Sequence, residues 1–183
     1  MPALPPTTAE PENDPGPDYR RNVGVVLFNA EGLIWLGHRT GETAIQSWQF
    51  PQGGVDAGEA LEVAARRELL EETGVRSVEL LAQTDQWLTY DFPPEVLNNP
   101  KRARGFRGQK QVWFAYRFRG VDSEIDLNAH GDVEFSAWRW APISEAPEVV
   151  APFKRQVYLK VVDAFARFAH NGAMTPADAA PTA

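Results

Sequence analysis

The sequence predicts a single α+β domain in which a sheet and helices form a sandwich. The chain has 183 residues, of which 43% are hydrophobic, enough for one sizeable core. Short strand-like apolar runs recur along its middle, and two segments have helical composition or periodicity. Strands in several runs combined with two helices favour the α+β class.

Both ends of the chain differ in composition from the middle. Residues 1–18 contain six prolines among Thr, Glu and Asp, and residues 171–183 are small, polar and Pro-containing. Such segments cannot bury apolar surface. We therefore predict a disordered N-terminal extension, a folded domain over residues 19–170, and a flexible C-terminal tail.

The strands are predicted from short runs rich in apolar and β-branched residues. They cover residues 22–28, 33–39, 48–50, 78–90, 111–119 and 134–140. The first run, NVGVVLF, is typical of a buried strand, and the second is expected to be its hairpin partner across a turn at residues 30–32. Pro51 ends the third run.

Two helices are predicted from different signals. Residues 59–73 are rich in Ala, Leu, Glu and Arg, and Gly74 follows them as a left-handed C-terminal cap. Residues 157–169 carry apolar side chains at helical spacing and form a closing amphipathic helix. These positions are Val157, Val161, Val162, Phe165 and Phe168.

Composition excludes several classes of function. The chain has no cysteine, which excludes disulfides, thiolate metal sites and a cysteine nucleophile. Its formal net charge of −7 argues against non-specific nucleic-acid binding, so no DNA partner is expected. No apolar stretch approaches about 18 residues, so no membrane partner is expected either. We predict a soluble cytoplasmic protein, a monomer or small homo-oligomer.

One segment is locally basic. Lys101, Arg102, Arg104, Arg107 and Lys110 occur within ten residues that contain no acidic side chain. This local charge suggests a phosphate-bearing ligand. The alternative is a solvated basic loop.

Three carboxylates share one face of the first predicted helix. Glu68, Glu71 and Glu72 are three and four residues apart, so they project together and repel one another. Hard oxygen ligands on one rigid face suit Mg²⁺ or Mn²⁺. A solvated charged face is the alternative. Arg67 could pair with Glu59 and hold the preceding loop, a structural role.

The segment that contains these carboxylates resembles the Nudix box. Residues 53–75 read GGVDAGEALEVAARRELLEETGV and match G-x5-E-x7-R-E-U-x-E-E-x-G-U, where U is apolar, at every position. With residue frequencies near ~7%, seven fixed identities arise by chance about once in a hundred million starts. This match favours the metal site over the solvated face.

The resemblance implies a mixed β-sheet flanked by helices, an α/β/α sandwich in which the box forms a loop, helix and loop. It implies that Glu68, Glu71 and Glu72 are metal ligands, with the Gly53 carbonyl adding another. Glu71 and Glu72 would act in catalysis, whereas Glu59, Arg67 and Gly74 would be structural. The implied reaction is attack of a metal-activated water on phosphorus.

Five further segments resemble the RNA pyrophosphohydrolase and dinucleoside polyphosphate hydrolase branch. They are YRRNVG at 19–24, SWQFPQGG at 47–54, GQKQVWF at 108–114, EFSAWRW at 134–140 and FKRQVY at 153–158. The likeness implies that Glu134 binds a further metal or helps to activate water. The segment at 40–46 is longer than is usual in this branch, and Arg21 stands where Pro is common.

The same likeness implies a set of substrate-binding residues. Basic side chains would hold phosphates, Tyr90 would stack on a base, and two glutamines would line the site. The set is Arg20, Arg39, Gln52, Tyr90, Lys110, Gln111 and Lys154. Each of these residues alone has an ordinary surface or packing role as its alternative.

The predicted function is metal-dependent hydrolysis of a phosphoanhydride bond, with Mg²⁺ or Mn²⁺ as cofactor. The predicted substrate is 5′-triphosphate RNA, a dinucleoside polyphosphate, or both. Two alternatives remain open: hydrolysis of another nucleoside diphosphate derivative such as a nucleotide sugar, and a non-catalytic Nudix-fold regulator.

Overall fold

The computed structural model describes residues 9–169, which form one mixed sheet of eight strands with helices on both faces. The strands are β1 Tyr19–Phe28, β2 Ile34–Arg39, β3 Trp48–Gln49, β4 Gln52–Gly54, β5 Val78–Gln83, β6 Leu88–Asp91, β7 Gly108–Phe118 and β8 Phe135–Ala141. The helices are α1 Leu61–Thr73, α2 Pro94–Leu97, α3 Pro100–Ala103, α4 Ala146–Val149 and α5 Arg155–Phe165. This arrangement confirms the predicted fold class.

The centre of the sheet is the parallel pair β1 and β7. Their register runs from Tyr19 opposite Gly108 to Phe28 opposite Arg117. On its other edge β7 pairs antiparallel with both β5 and β6. Strand β1 pairs antiparallel with β4, and β2 continues the sheet through β3 and β8.

Two strand predictions need correction. The hairpin of β1 and β2 is limited to the pair Phe28 and Ile34, because the start of β1 pairs with β4 and the end of β2 pairs with β3. The single strand predicted over residues 78–90 is two strands, β5 and β6. They are separated because the Thr84 hydroxyl accepts a hydrogen bond from the Trp113 backbone N–H at 3.1 Å, after which the chain leaves the ladder and returns at Leu88.

The sheet has a helix on each face, and alternate residues of β1 and β7 supply both cores. Helix α1 packs on the cluster that includes Val25 and Phe114, and α5 packs on the cluster that includes Val26 and Trp113. Because neighbouring strand residues point to opposite faces, every residue of β7 is buried. The central strands therefore fix the positions of α1 and α5 relative to each other.

The boundaries of the two predicted helices agree closely with the structure. Helix α1 ends at Thr73, and Gly74 adopts a left-handed conformation with φ 74° and donates its N–H to the Leu70 carbonyl at 2.8 Å. Helix α5 ends at Phe165 and is followed by a 3₁₀ turn over 166–168. No helix among residues 9–169 is long and apolar enough to cross a membrane.

Part of the predicted disordered extension is held against the domain. The Trp87 N–H donates to Asn13 Oδ1 at 2.9 Å, and Lys110 Nζ pairs with the Asp14 carboxylate and donates to the Gly16 carbonyl at 3.0 Å. The buried Lys110 ammonium needs such partners, which gives the segment its place. The predictions for residues 1–8 and 170–183 lie outside the described residues.

Candidate active site

The carboxylate face of α1 lies beneath strand β4. Glu72 Oε2 accepts a hydrogen bond from the Gln52 backbone N–H at 3.1 Å. Removal from water, followed by the nearby charges of Glu134 and Glu68, raises the pKa of Glu72 well above its usual value. Desolvation also raises the pKa of Glu68. The structure thus gathers carboxylates whose ionised forms are unfavourable without added positive charge.

An arginine braces the loop before α1. The Arg67 guanidinium pairs with both oxygens of Glu59, at 2.8 and 2.9 Å, and donates to the Gly54 carbonyl at 2.8 Å. Glu59 also accepts from the Asp56 N–H at 3.0 Å. The hydrogen bond from Arg67 is the main reason that the pKa of Glu59 is lowered. Two charged side chains therefore tie both ends of the loop to the helix.

Gly53 stands where the backbone closely approaches the carboxylates. A Cβ atom at this position would lie 1.8 to 2.2 Å from the carboxylate atoms of Glu68, inside van der Waals contact. Strand β4 presents this glycine opposite Val23 of β1. A side chain at this position would therefore force the Glu68 carboxylate to move.

The carboxylates of α1 together with Glu134, just before β8, suit a hard divalent cation. Glu68, Glu72 and Glu134 supply carboxylate oxygens, the ligands that Mg²⁺ and Mn²⁺ prefer. Within residues 9–169 no three acidic or His side chains already converge in metal-binding geometry. Two carboxylates of α1 are held by Arg67, whose guanidinium donates to Glu68 at 2.7 Å and to Glu71 at 3.4 Å.

A cavity of about 890 Å³ is lined by Glu134 and by Gln52, whose backbone N–H holds Glu72. Glu68, Glu71 and Glu72 themselves are not among its lining residues. Its walls are the segment between β2 and β3, the segment that contains α2 and α3, and the turn before α5. It brings together six residues that the sequence predicted for the site: Arg20, Arg39, Gln52, Tyr90, Glu134 and Lys154. Such a volume lies at the upper end of what small-molecule sites offer.

Two basic side chains in the cavity are held by polar neighbours. Arg39 pairs with Glu134 at 3.1 Å. Lys154 donates to Gln49 Oε1 at 3.0 Å. Burial, followed by the charge of Arg39, lowers the pKa of Lys154 to about 8. Both cations are thus fixed in position before any phosphate arrives.

An aromatic group lines another part of the cavity. The Tyr90 ring lies 6.0 Å from Phe92 and 5.6 Å from Phe153, measured between ring centroids. Tyr90 is 8% exposed, whereas Phe153 is 38% exposed. The exposed ring therefore offers more surface to a base than the predicted Tyr90 does.

Two predicted substrate-binding residues do not line the cavity. Lys110 points to the opposite face of β7, where it pairs with Asp14 and lies over the Trp87 ring at 5.5 Å. Gln111 is buried behind Gln52, with 3.5 Å between its Nε2 and Gln52 Oε1. The sequence predicts that Lys110 and Gln111, as neighbours in one strand, point to opposite faces. It does not predict that Gln111 lies too deep to line the cavity.

Several lining residues were missed as site residues by the sequence reasoning. Gln109 lines the cavity. It lies two residues before Gln111 on the same strand face, so the alternation of β7 would have indicated it as a site residue. Gln49 and Phe153 also line it, next to predicted residues in the chain. Lys101, Arg102 and Arg104 were recognised only as a basic patch, because nothing in the sequence places their segment across from Arg39.

Comparison with known proteins gives concordant matches. The NUDIX domain family model matches residues 18–161. The RNA pyrophosphohydrolase of Caulobacter vibrioides strain NA1000 / CB15N is 65% identical over 155 residues, covering 85% of this chain and 90% of its own length. The RNA pyrophosphohydrolase of Bradyrhizobium sp. strain ORS 278 is 50% identical over 161 residues, covering 82% and 94%.

Solved structures show the same fold at low identity. The E. coli dihydroneopterin triphosphate pyrophosphohydrolase matches with a TM-score of 0.61 at 19% identity, covering 80% of this chain and 98% of its own. A C. elegans Ap4A hydrolase binary complex matches with a TM-score of 0.58 at 17% identity, covering 81% and 98%. At these identities the likeness shows the fold alone.

Proposed function

The chain belongs to the NUDIX domain family, and from that premise we propose that it is an RNA pyrophosphohydrolase. It hydrolyses a phosphoanhydride bond of 5′-triphosphate RNA and leaves 5′-monophosphate RNA. The observation that carries this proposal is the 65% identity to a relative of that name, extending over 90% of that relative. An enzyme that acts on cellular RNA works in the cytoplasm, which we propose as its location.

The cofactor we propose is Mg²⁺, with Mn²⁺ as a substitute. Glu68, Glu71, Glu72 and Glu134 would hold it, with the carbonyl of Gly53. When bound, the metal supplies an activated water and offsets negative charge on the phosphates. The raised pKa values of Glu68 and Glu72 support this assignment, because a divalent cation would stabilise their ionised forms.

The chain's own residues bind and orient the polyphosphate. Arg20, Arg39 and Lys154 place three cations in the cavity beside the carboxylate face. The Gln52 N–H fixes one oxygen of Glu72, so that the carboxylate keeps one orientation. Fixed groups of this kind need little rearrangement when charge moves during the reaction.

A second candidate substrate is a dinucleoside polyphosphate. The cavity combines the exposed face of Phe153 with Arg39 and Lys154, and both substrate classes present a base next to a polyphosphate. The other two alternatives, hydrolysis of a nucleotide sugar and a non-catalytic regulator, have no observation of this kind in their favour.

The proposal is tested with purified protein, 5′-triphosphate RNA and, separately, diadenosine tetraphosphate, with Mg²⁺, Mn²⁺ or EDTA. We expect metal-dependent formation of 5′-monophosphate RNA at a higher kcat/KM than dinucleotide cleavage. Glu72→Gln should lower kcat by two or more orders of magnitude, roughly the cost of losing one central electrostatic group.

The matched control is Glu62→Gln on the same helix. Glu62 pairs with Arg66 at 3.0 Å and does not share the helix face of Glu68, Glu71 and Glu72, so its loss should leave kcat unchanged. Faster cleavage of the dinucleotide would instead indicate that the protein clears dinucleoside polyphosphates. Full activity of Glu72→Gln would reject the carboxylate face as the metal site.

A further inference from the structure

We propose that the α2–α3 segment is a binding wall for the phosphodiester backbone of the RNA beyond its first nucleotide. The wall is defined by Lys101, Arg102 and Arg104, which line the same cavity as Arg20, Arg39 and Lys154. This inference rests on the proposed function and adds to it a reason for preferring RNA over a free nucleotide.

The wall has a defined backbone conformation. Asn99 caps α3, and its side-chain oxygen accepts hydrogen bonds from the N–H groups of Lys101 and Arg102 at 3.1 and 3.3 Å. Arg104 ends the helix in the left-handed region, with φ 52°, and donates its N–H to the Pro100 carbonyl at 2.9 Å. These contacts direct the three basic residues from one short, fixed turn.

The charge of the cavity exceeds what its own acidic residues can balance. Its lining holds six basic residues and only three acidic ones, Glu42, Glu95 and Glu134. Within residues 9–169, Lys101, Arg102 and Arg104 form no ion pair with any carboxylate. Such an excess on a chain of net charge −7 indicates that an anion completes the wall.

Burial separates the basic residues into two groups with different roles. Lys154 is 5% exposed and Arg20 and Arg39 are partly buried, which suits a polyphosphate enclosed in the cavity. Lys101, Arg102 and Arg104 are all exposed at its rim. A mononucleotide would end inside the cavity. A longer RNA extends out of the cavity, and the phosphates after its first nucleotide would lie along the exposed rim.

Arg107, in the same basic stretch of sequence, does not belong to the wall. It lies three residues after Arg104, yet it pairs with Asp91 at 2.8 Å and stacks over the Tyr19 ring at 5.2 Å. It does not line the cavity. The same segment thus contains basic residues that face the cavity and one that is already neutralised elsewhere.

The test measures binding without hydrolysis. A 3′-fluorescein-labelled RNA tetranucleotide with a 5′-triphosphate is titrated with the full chain in EDTA, and the dissociation constant is followed from about 50 to about 200 mM salt. Arg102→Gln with Arg104→Gln removes two cations from the wall. For single strands each phosphate contact contributes about 0.7 to the logarithmic salt slope. Raising the salt from about 50 to about 200 mM weakens the binding of both proteins. The loss of affinity should be about sevenfold smaller in the double variant than in wild type.

The control removes two positive charges from outside the cavity. Arg107→Gln with Arg119→Gln breaks the ion pairs with Asp91 and Glu79, and it should keep the wild-type salt slope. ATP, measured by displacement of the labelled RNA, should bind wild type and the wall variant equally.

Three results would overturn the proposal: an unchanged slope in the wall variant, an equal change in the control, or an equal loss for ATP. An equal loss for ATP would mean that Arg102 and Arg104 bind the triphosphate and not the phosphates that follow it. Failure of the proposed function has a different signature, since RNA would then remain unhydrolysed with metal while the salt slope still reports on the wall.

Discussion

The hydroxyl of Tyr158 should contribute measurably to the stability of this fold. Tyr158 is 1% exposed, and its ring stacks on Phe50 with 4.9 Å between centroids. Its hydroxyl accepts a hydrogen bond from the Phe50 backbone N–H at 3.0 Å. Tyr158→Phe keeps the ring but leaves that buried N–H without an acceptor, at a cost of about 1 to 3 kcal/mol.

The matched control is Tyr116→Phe. Tyr116 is also fully buried, but among the described residues its hydroxyl has no hydrogen-bond partner. Removing an unpaired buried hydroxyl leaves no new polar group unsatisfied, so this variant should match or exceed wild-type stability. The two substitutions delete the same atom from the same residue type and differ in what the atom binds.

The assay is thermal unfolding followed by circular dichroism. For a domain of this size each kcal/mol moves the Tm by about 2 to 4 °C. A cost near 2 kcal/mol should lower the Tm of Tyr158→Phe by about 4 to 8 °C, while Tyr116→Phe stays within about 1 °C of wild type or above it. Equal Tm values for the two variants would refute the reasoning. They would show that the lost hydrogen bond from the Phe50 N–H does not determine the loss of stability.

Two further outcomes are expected at the site. Gly53→Ala should lower kcat about a hundredfold, because its methyl group would displace the Glu68 carboxylate, a shift of the size that costs this much; Gly131→Ala, with open space around it, should be indistinguishable from wild type by the same kinetics. KM for 5′-triphosphate RNA should rise between pH 7 and pH 9, because Lys154 loses its proton as the pH passes through its lowered pKa of about 8. Lys154→Arg keeps its charge over this range, so a KM that still rose in that variant would assign the titration to another group.

The local contacts that the sequence indicated around α1 depend on short-range geometry. Glu59, Arg67 and the three carboxylates lie within one helix and its preceding loop, where spacing alone fixes which side chains meet. The Gly74 cap follows from the same local rule. Helical periodicity therefore predicts which side chains share the carboxylate face, and their role as metal ligands stays a prediction.

The parts that the sequence did not indicate depend on contacts between distant residues. Lys110 finds its partner in Asp14, 96 residues away, and no local pattern reveals that pairing or the order it gives to residues 9–18. The depth of Gln111 depends on Asn22 and Gln52 in other strands. Which wall Arg102 and Arg104 face depends likewise on how their segment folds over the sheet.

The parallel pairing of β1 with β7 has a consequence for how the protein is made. Asn22 and its partner Gln111 are 89 residues apart, so the first strand to be synthesised is among the last to find its neighbour. At translation rates of roughly 5–20 residues per second, β1 waits about 4 to 18 s for β7. During that interval the apolar run from Val23 to Phe28 has β4 and the start of β2 as its available partners. We expect the nascent chain to be most prone to aggregate in this interval, which makes β1 a natural position for chaperone contact.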